Sequence, residues 1–158
     1  MKNKTNAMRQ LDAAKINYIP LEYVPDESDL SGVHIAEQIG MPEEQVFKTL
    51  VAIGDKTGGV VFVIPCGMEL DLKKCASASG NKRVELVHVK DLLALTGYIR
   101  GGCSPIGMKK KFPTYFDETV ILHERITVSA GIKGCQLLVS SEEIVKFTDA
   151  KLAELIAL

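Results

Sequence analysis

Phe47-Lys48-Thr49-Leu50-Val51-Ala52-Ile53, then Asp55-Lys56-Thr57-Gly58-Gly59, then Val60 to Pro65 is the stretch on which the fold turns. Two apolar, β-branched runs flank a short turn containing two glycines, and that pattern predicts a β-hairpin. Lys48 interrupts the first run. Strand alternation places it on the same face as Leu50 and Ala52, where a lysine costs desolvation unless an anion or ligand meets it. The bland alternative is a lysine that snorkels from the strand end.

Outward from the hairpin the chain reads as alternating short elements. Thr5 is placed to cap a helix carrying Met8 and Leu11 and ending near Ile16-Asn17, and Tyr18 to Tyr23 reads as a strand. An acidic loop around Pro25 to Asp29 follows. Ser31 can cap a helix that Gly40 stops, and Pro42 opens the next turn. Beyond the hairpin, Asp71 caps a helix through Ala78 closed by Gly80. Arg83 to Val87 reads as a strand, and Val89 to Thr96 as a helix ending at Gly97. Thr114 to Asp117 and Val120 to Leu122 read as short strands, while Ile126 to Ser129 and Cys135 to Ser140 pair across the Gly131 to Gly134 turn. Ser140-Ser141-Glu142-Glu143 has the capping-box pattern. Thr148 restarts the final helix, with Leu152, Leu155 and Ile156 facing the core. Strands alternate irregularly with helices, which predicts a mixed α/β layer fold and not a regular doubly wound sheet.

At 158 residues and 46% hydrophobic content, the chain is sized for one domain spanning residues 1–158, and no linker, repeat or low-complexity segment divides it. Nineteen basic residues against twenty acidic ones give a formal charge of −1, so no global basic field marks a tight nucleic-acid binder and any RNA contact must be local. Cys66, Cys75, Cys103 and Cys135 lack C-x-x-C spacing and His34, His88 and His123 are scattered, which argues against a zinc site and a disulfide framework. No cofactor is expected. The polar start, with Lys2, Asn3, Lys4 and Asn6, has no apolar signal region, and no apolar run approaches a membrane span. A reducing cytoplasm fits best, with no membrane contact.

Gly97-Tyr98-Ile99-Arg100-Gly101-Gly102-Cys103-Ser104-Pro105-Ile106-Gly107-Met108-Lys109-Lys110-Lys111 carries the strongest functional signal. Glycines admit positive φ and close backbone approach, so Gly101, Gly102, Cys103 and Ser104 can present N–H groups to a phosphorylated or nucleotide-like group, or to an ester carbonyl whose oxyanion they would stabilise on attack. The lysines downstream add diffuse positive charge. The alternative is a tight turn that closes the fold beside a solvated lysine face. Tyr98 can stack on a nucleobase or serve as core, and Ser129 can bond the ribose or amino-acid end of a ligand or merely end a strand. No histidine neighbours a cysteine or serine in a nucleophile-and-base pattern. Cys103 is the one tempting nucleophile.

Three segments, Val46-Phe47-Lys48-Thr49-Leu50-Val51, Gly97 to Lys111 and Val128-Ser129-Ala130-Gly131-Ile132-Lys133-Gly134, stand in the order and at about the spacing seen in the YbaK/EbsC family. The chain resembles that family from about Tyr18 to its C-terminus. Its members are free-standing relatives of the prolyl-tRNA synthetase editing domain and look like aminoacyl-tRNA deacylases. The resemblance implies a curved mixed sheet with helices packed around it and a cleft at one side. It also implies that Lys48 faces the substrate, and that Tyr23 and Tyr98 lie at the cleft. The family commonly has an aliphatic residue where this chain has Cys103, which then reads as a small packing residue. The substrate implied is the acceptor end of an aminoacyl-tRNA, most specifically Cys-tRNA(Pro), whose own thiol would displace the ribose oxygen. Prolyl-tRNA synthetase is the implied partner. Rival readings are an alanine or other small-amino-acid deacylase, a binding module without turnover, and a cysteine-dependent hydrolase using Cys103.

Overall fold

In a computed structural model, which describes residues 3–26, 28 and 31–158, the hairpin is formed by β2 (Phe47–Gly54) and β3 (Gly58–Pro65), paired antiparallel from Phe47 opposite Pro65 to Gly54 opposite Gly58. The acidic positions Glu27 and Asp29, and Lys2 of the polar start, lie outside the described residues. The hairpin anchors a five-stranded mixed sheet of order β4-β2-β3-β5-β8, completed by β4 (Val84–Leu86), β5 (Thr114–Asp117) and β8 (Lys151–Ala153). A second, antiparallel sheet of order β1-β7-β6 joins β1 (Tyr18–Glu22), β7 (Cys135–Ser140) and β6 (Arg125–Ser129). The expected curved sheet is therefore two sheets. A bridge between Val46 and Thr127 stitches them where β2 begins.

Alternation along β2 and β3 separates two cores. Phe47, Val51, Val61 and Val63 meet Ile126, Val128, Leu137 and Val139 of the smaller sheet, together with Ala7, Met8 and Leu11 of α1 (Asn6–Ala13). On the other face, Ala52, Val60, Phe62 and Ile64 pack on Cys75 and Ala76 of α3 (Leu72–Ser79) and on Leu155 and Ile156. Three further α-helices are α2 (Gly32–Ile39), α4 (Val89–Thr96) and α5 (Ser141–Phe147). Side chains of Thr5, Ser31, Asp71 and Ser140 accept from helix amides, as their spacing predicted.

Three local expectations are corrected. The first helix ends at Ala13, because Lys15 adopts a left-handed conformation with φ 60° and breaks the helical run before Ile16. Val120 to Leu122 is part of a 3-10 helix, Glu118–Leu122, and not a strand. Asp117 starts it by accepting from the Thr119 amide at 3.1 Å and its hydroxyl at 2.6 Å. The final helix does not restart at Thr148. Asp149 turns the chain with φ 59°, and Lys151–Ala153 joins β5 in parallel pairing instead. Leu155 and Ile156 are buried as expected, whereas Leu152 is 44% exposed. The buried Asp117 carboxylate holds this segment by accepting from the Leu155 amide at 3.0 Å.

The hairpin turn itself is tied to the end of α3 by Asn81. Its Oδ1 accepts from the Lys56 and Thr57 amides at 2.8 and 3.0 Å, and its Nδ2 donates to the Thr57 and Ser79 hydroxyls. Asn81→Ala removes four hydrogen bonds at once, and we expect a loss of about 2 kcal/mol in stability. A lowered urea midpoint with unchanged slope is the readout; an unchanged midpoint would show that the turn holds without it.

Candidate functional site

Strand β4 covers the edge of β2 from Ala52 to Gly54 and the Val87 amide then bonds the Val51 carbonyl at 2.9 Å, which leaves the edge from Phe47 to Leu50 without a strand neighbour on that side. An uncovered edge presents backbone donors and acceptors. A cavity of about 770 Å³ lies along it, walled by the start of α2, by α4, by the loop from Arg100 to Cys103 and by Ser129 and Gln136 of the smaller sheet. The start of α2 approaches closely because residue 32 is glycine: a Cβ there would stand 2.2 Å from the Cβ of Cys66. The volume suits a ligand of nucleoside or aminoacyl-nucleoside size.

Four of the eight sequence-predicted residues line this cavity: Lys48, Gly101, Cys103 and Ser129. Tyr23 lines a small adjoining pocket that shares Ile35 and Gly101 with it. The other three lie elsewhere. Tyr98 donates its hydroxyl to the Ile106 carbonyl, and its ring lies over Gly131 in a different hollow with Asn6, Ala130 and Ile132. Ser104 is fully buried and its Oγ accepts from the Ile106 amide at 3.2 Å. Gly102 is buried too, and its amide donates to Ile99 at 3.0 Å. A Cβ on Gly102 would come within 3.1 Å of the Ile132 carbonyl carbon, so this glycine locks its loop onto the Gly131 to Gly134 turn. By contrast, the amides of Gly101 and Cys103, both lining the cavity, have no hydrogen-bond partner among the described residues. Gly101 sits at φ 88°. The lysine run does not contribute: none of Lys109, Lys110 and Lys111 lines the cavity, and Lys111 pairs with Asp149 at 3.3 Å.

Two cavity residues escaped the sequence reading. Gln136 is only 5% exposed, and its Oε1 accepts from the Thr127 hydroxyl at 3.1 Å, while its Nε2 has no partner among the described residues. Thr49 is 9% exposed, and its hydroxyl has no partner among the described residues. A buried polar atom without a partner is costly. The signal in the sequence is an amide set inside the apolar run Cys135 to Val139.

Lys48 and Arg100 are the cations of the lining, and Glu69 its carboxylate. Two thiols also line it. Burial pushes the Cys103 thiol up to about 12 and the Cys66 thiol up to about 11, the latter helped by Glu43 and opposed by Lys48. At pH 8 the thiolate fraction of Cys103 is about 10⁻⁴, too small for an activated nucleophile. We therefore expect iodoacetamide at pH 7 to leave turnover intact and to label Cys103 far more slowly than a free thiol. Rapid inactivation traced to Cys103 would restore the cysteine-hydrolase reading.

A half-buried lysine, two amides without a partner among the described residues and two thiols that burial keeps protonated thus line one cavity. The chain belongs to the aminoacyl-tRNA editing-domain family, whose model matches residues 31–147. It is 53% identical over 152 residues, 96% of this chain and 93% of the relative, to EbsC of Enterococcus faecalis, described as a candidate Cys-tRNA(Pro)/Cys-tRNA(Cys) deacylase. Among solved structures, a candidate trans-editing enzyme for prolyl-tRNA synthetase superposes with a TM-score of 0.81 at 23% identity, covering 96% of this chain and 93% of that one. The hypothetical protein APE2540 superposes with a TM-score of 0.85 at 22% identity, covering 94% and 97%. These two establish the fold. No helix among the described residues is long and apolar enough to cross a membrane.

Proposed function

We propose that residues 1–158 act as one editing domain that hydrolyses Cys-tRNA(Pro) in trans, in the cytoplasm, with prolyl-tRNA synthetase as the partner whose error it corrects. The observation that carries this is that Lys48 lines one cavity with the Gly101 and Cys103 amides, which have no partner among the described residues, while the cavity's own thiols stay protonated. The 53% identity to EbsC supports the cysteinyl substrate.

In this reading the substrate supplies the nucleophile. Its thiol sulfur attacks the ester carbonyl, a C–S bond forms, and the C–O bond to the ribose breaks. The thiol proton ends on the ribose oxygen, the tRNA leaves uncharged, and water then opens the cyclic cysteine thioester. Covalent attachment holds sulfur and carbonyl together, and such intramolecular attack reaches effective molarities of about 10⁵ M or more. The amides of Gly101 and Cys103 would take the developing oxyanion. Lys48 would hold the terminal nucleotide and ester by charge. Ser129 and Gln136 would bond the ribose or the amino-acid end.

A second site is needed because cysteine and proline are close in size, and one methylene is worth only about 1–3 kcal/mol of discrimination. Hydrolysis of Cys-, Ser- and Ala-tRNA(Pro) side by side tests the reading. Loss of the cysteinyl ester alone supports it, loss of the alanyl ester alone moves the protein to alanine editing, and no loss of any ester leaves a binding module.

A further inference from the structure

We infer that Thr127 is a positioning residue for the cavity: its hydroxyl fixes the orientation of the Gln136 side-chain amide, so that the NH2 end meets the substrate as a donor. The inference rests on the editing reading for its substrate, but its observations are separate. Strands β6 and β7 pair Thr127 with Leu138 and Ser129 with Gln136, which puts these four side chains on one face of the smaller sheet. Their neighbours Ile126, Val128, Leu137 and Val139 point the other way, into the core. Thr127 and Gln136 are therefore diagonal neighbours, a separation that a long side chain spans. Gln136 and Ser129 line the cavity, whereas Thr127 is 0% exposed and lies off it. Its backbone is held by β7 on one side and by the Val46 bridge on the other.

Hydrogen-bond accounting sets the direction. The Thr127 hydroxyl donates to Gln136 Oε1 at 3.1 Å and has no other partner among the described residues. A glutamine amide carries an acceptor at one end and two donors at the other. Turned round, it would face Thr127 with its NH2, and the buried hydroxyl hydrogen would have no acceptor among the described residues, a cost that buried polar groups avoid. Oε1 is thereby committed to Thr127, and what Gln136 presents to the cavity is Nε2. Ser129, directly opposite, accepts from the Gly131 amide at 3.1 Å and keeps its O–H to donate. Two adjoining donors of this kind recognise an acceptor oxygen of the substrate, on the ribose or the ester.

The test is a double-mutant cycle on kcat/KM for Cys-tRNA(Pro), built from T127V and Q136A. T127V keeps the shape of the side chain and removes the hydroxyl. It is expected to lower kcat/KM about fivefold or more in the native background and to cost nothing further in Q136A, while T127S recovers the native value to within about twofold. An equal loss in both backgrounds would show that Thr127 acts on the sheet and not through Gln136, and native turnover by T127V would remove its role; either overturns the inference. Should the native protein hydrolyse no ester, the editing reading fails by itself. In that case, or if T127V does not fold, NMR of the native protein decides: a slowly exchanging Thr127 hydroxyl proton with a cross-peak to the Gln136 side chain supports the inference, and its absence removes it.

Discussion

Lys48→Ala is expected to lower kcat/KM for Cys-tRNA(Pro) by about 30- to 100-fold, the equivalent of the roughly 2–3 kcal/mol that a hydrogen bond to a charged group contributes in a sheltered site. The residue stands on β2 with its amine unpaired among the described residues, and it lines the cavity from the edge that β4 leaves uncovered. Its partly buried stem complicates the alanine result, since lost packing can mimic lost charge. Lys48→Met keeps length and apolar area but removes the charge, so it separates the two. A methionine variant as impaired as alanine assigns the effect to the amine, whereas a methionine variant with native turnover would reduce Lys48 to a snorkelling strand residue. Arginine is not a neutral control, because a planar fork cannot occupy the position of a point charge without moving its neighbours.

The hairpin, the capped helices and the β6–β7 pairing were legible because each is encoded by neighbours in sequence: alternation, a capping hydroxyl or carboxylate, a glycine turn. The elements that were misread are those decided by distant partners. Val120 to Leu122 has strand-forming residues, but the Asp117 carboxylate bonds Thr119 and Leu155 at once, and that tertiary anchor makes the turn. Lys151–Ala153 carries a helical spacing of apolar residues, yet β5 offers it a free edge. The site divides the same way. Lys48 was visible as a charge in an apolar run. Tyr98 and Ser104 share the glycine loop with Gly101 and Cys103, but the loop's internal bonds to Ile106 turn both of them away from the cavity. Gln136 was invisible because its polarity has meaning only once Ser129 is set opposite it across the β6–β7 ladder.

Exchanging the substrate's thiol for a hydroxyl, by charging the same tRNA with serine, is expected to slow deacylation by at least about 10³-fold, a larger effect than any single substitution in the protein. Hydroxyl and thiol fill nearly the same space, so a cavity that worked by shape alone would treat the two esters alike. A mechanism that takes its nucleophile from the substrate cannot, because a hydroxyl is hardly ionised where an ordinary thiol, with a pKa of about 8.5, already is in part. The pH profile gives the same distinction independently. With the Cys66 and Cys103 thiols held at about 11 and about 12, neither of them ionises appreciably between pH 6 and 9. The rate on the cysteinyl ester should therefore climb about tenfold per pH unit in the lower part of that range and bend near the ionisation of the substrate's thiol. A serinyl ester cleaved at a comparable rate, or a flat profile on the cysteinyl one, would require a base or nucleophile from the protein, and among the residues lining the cavity Glu69 would be the first to substitute.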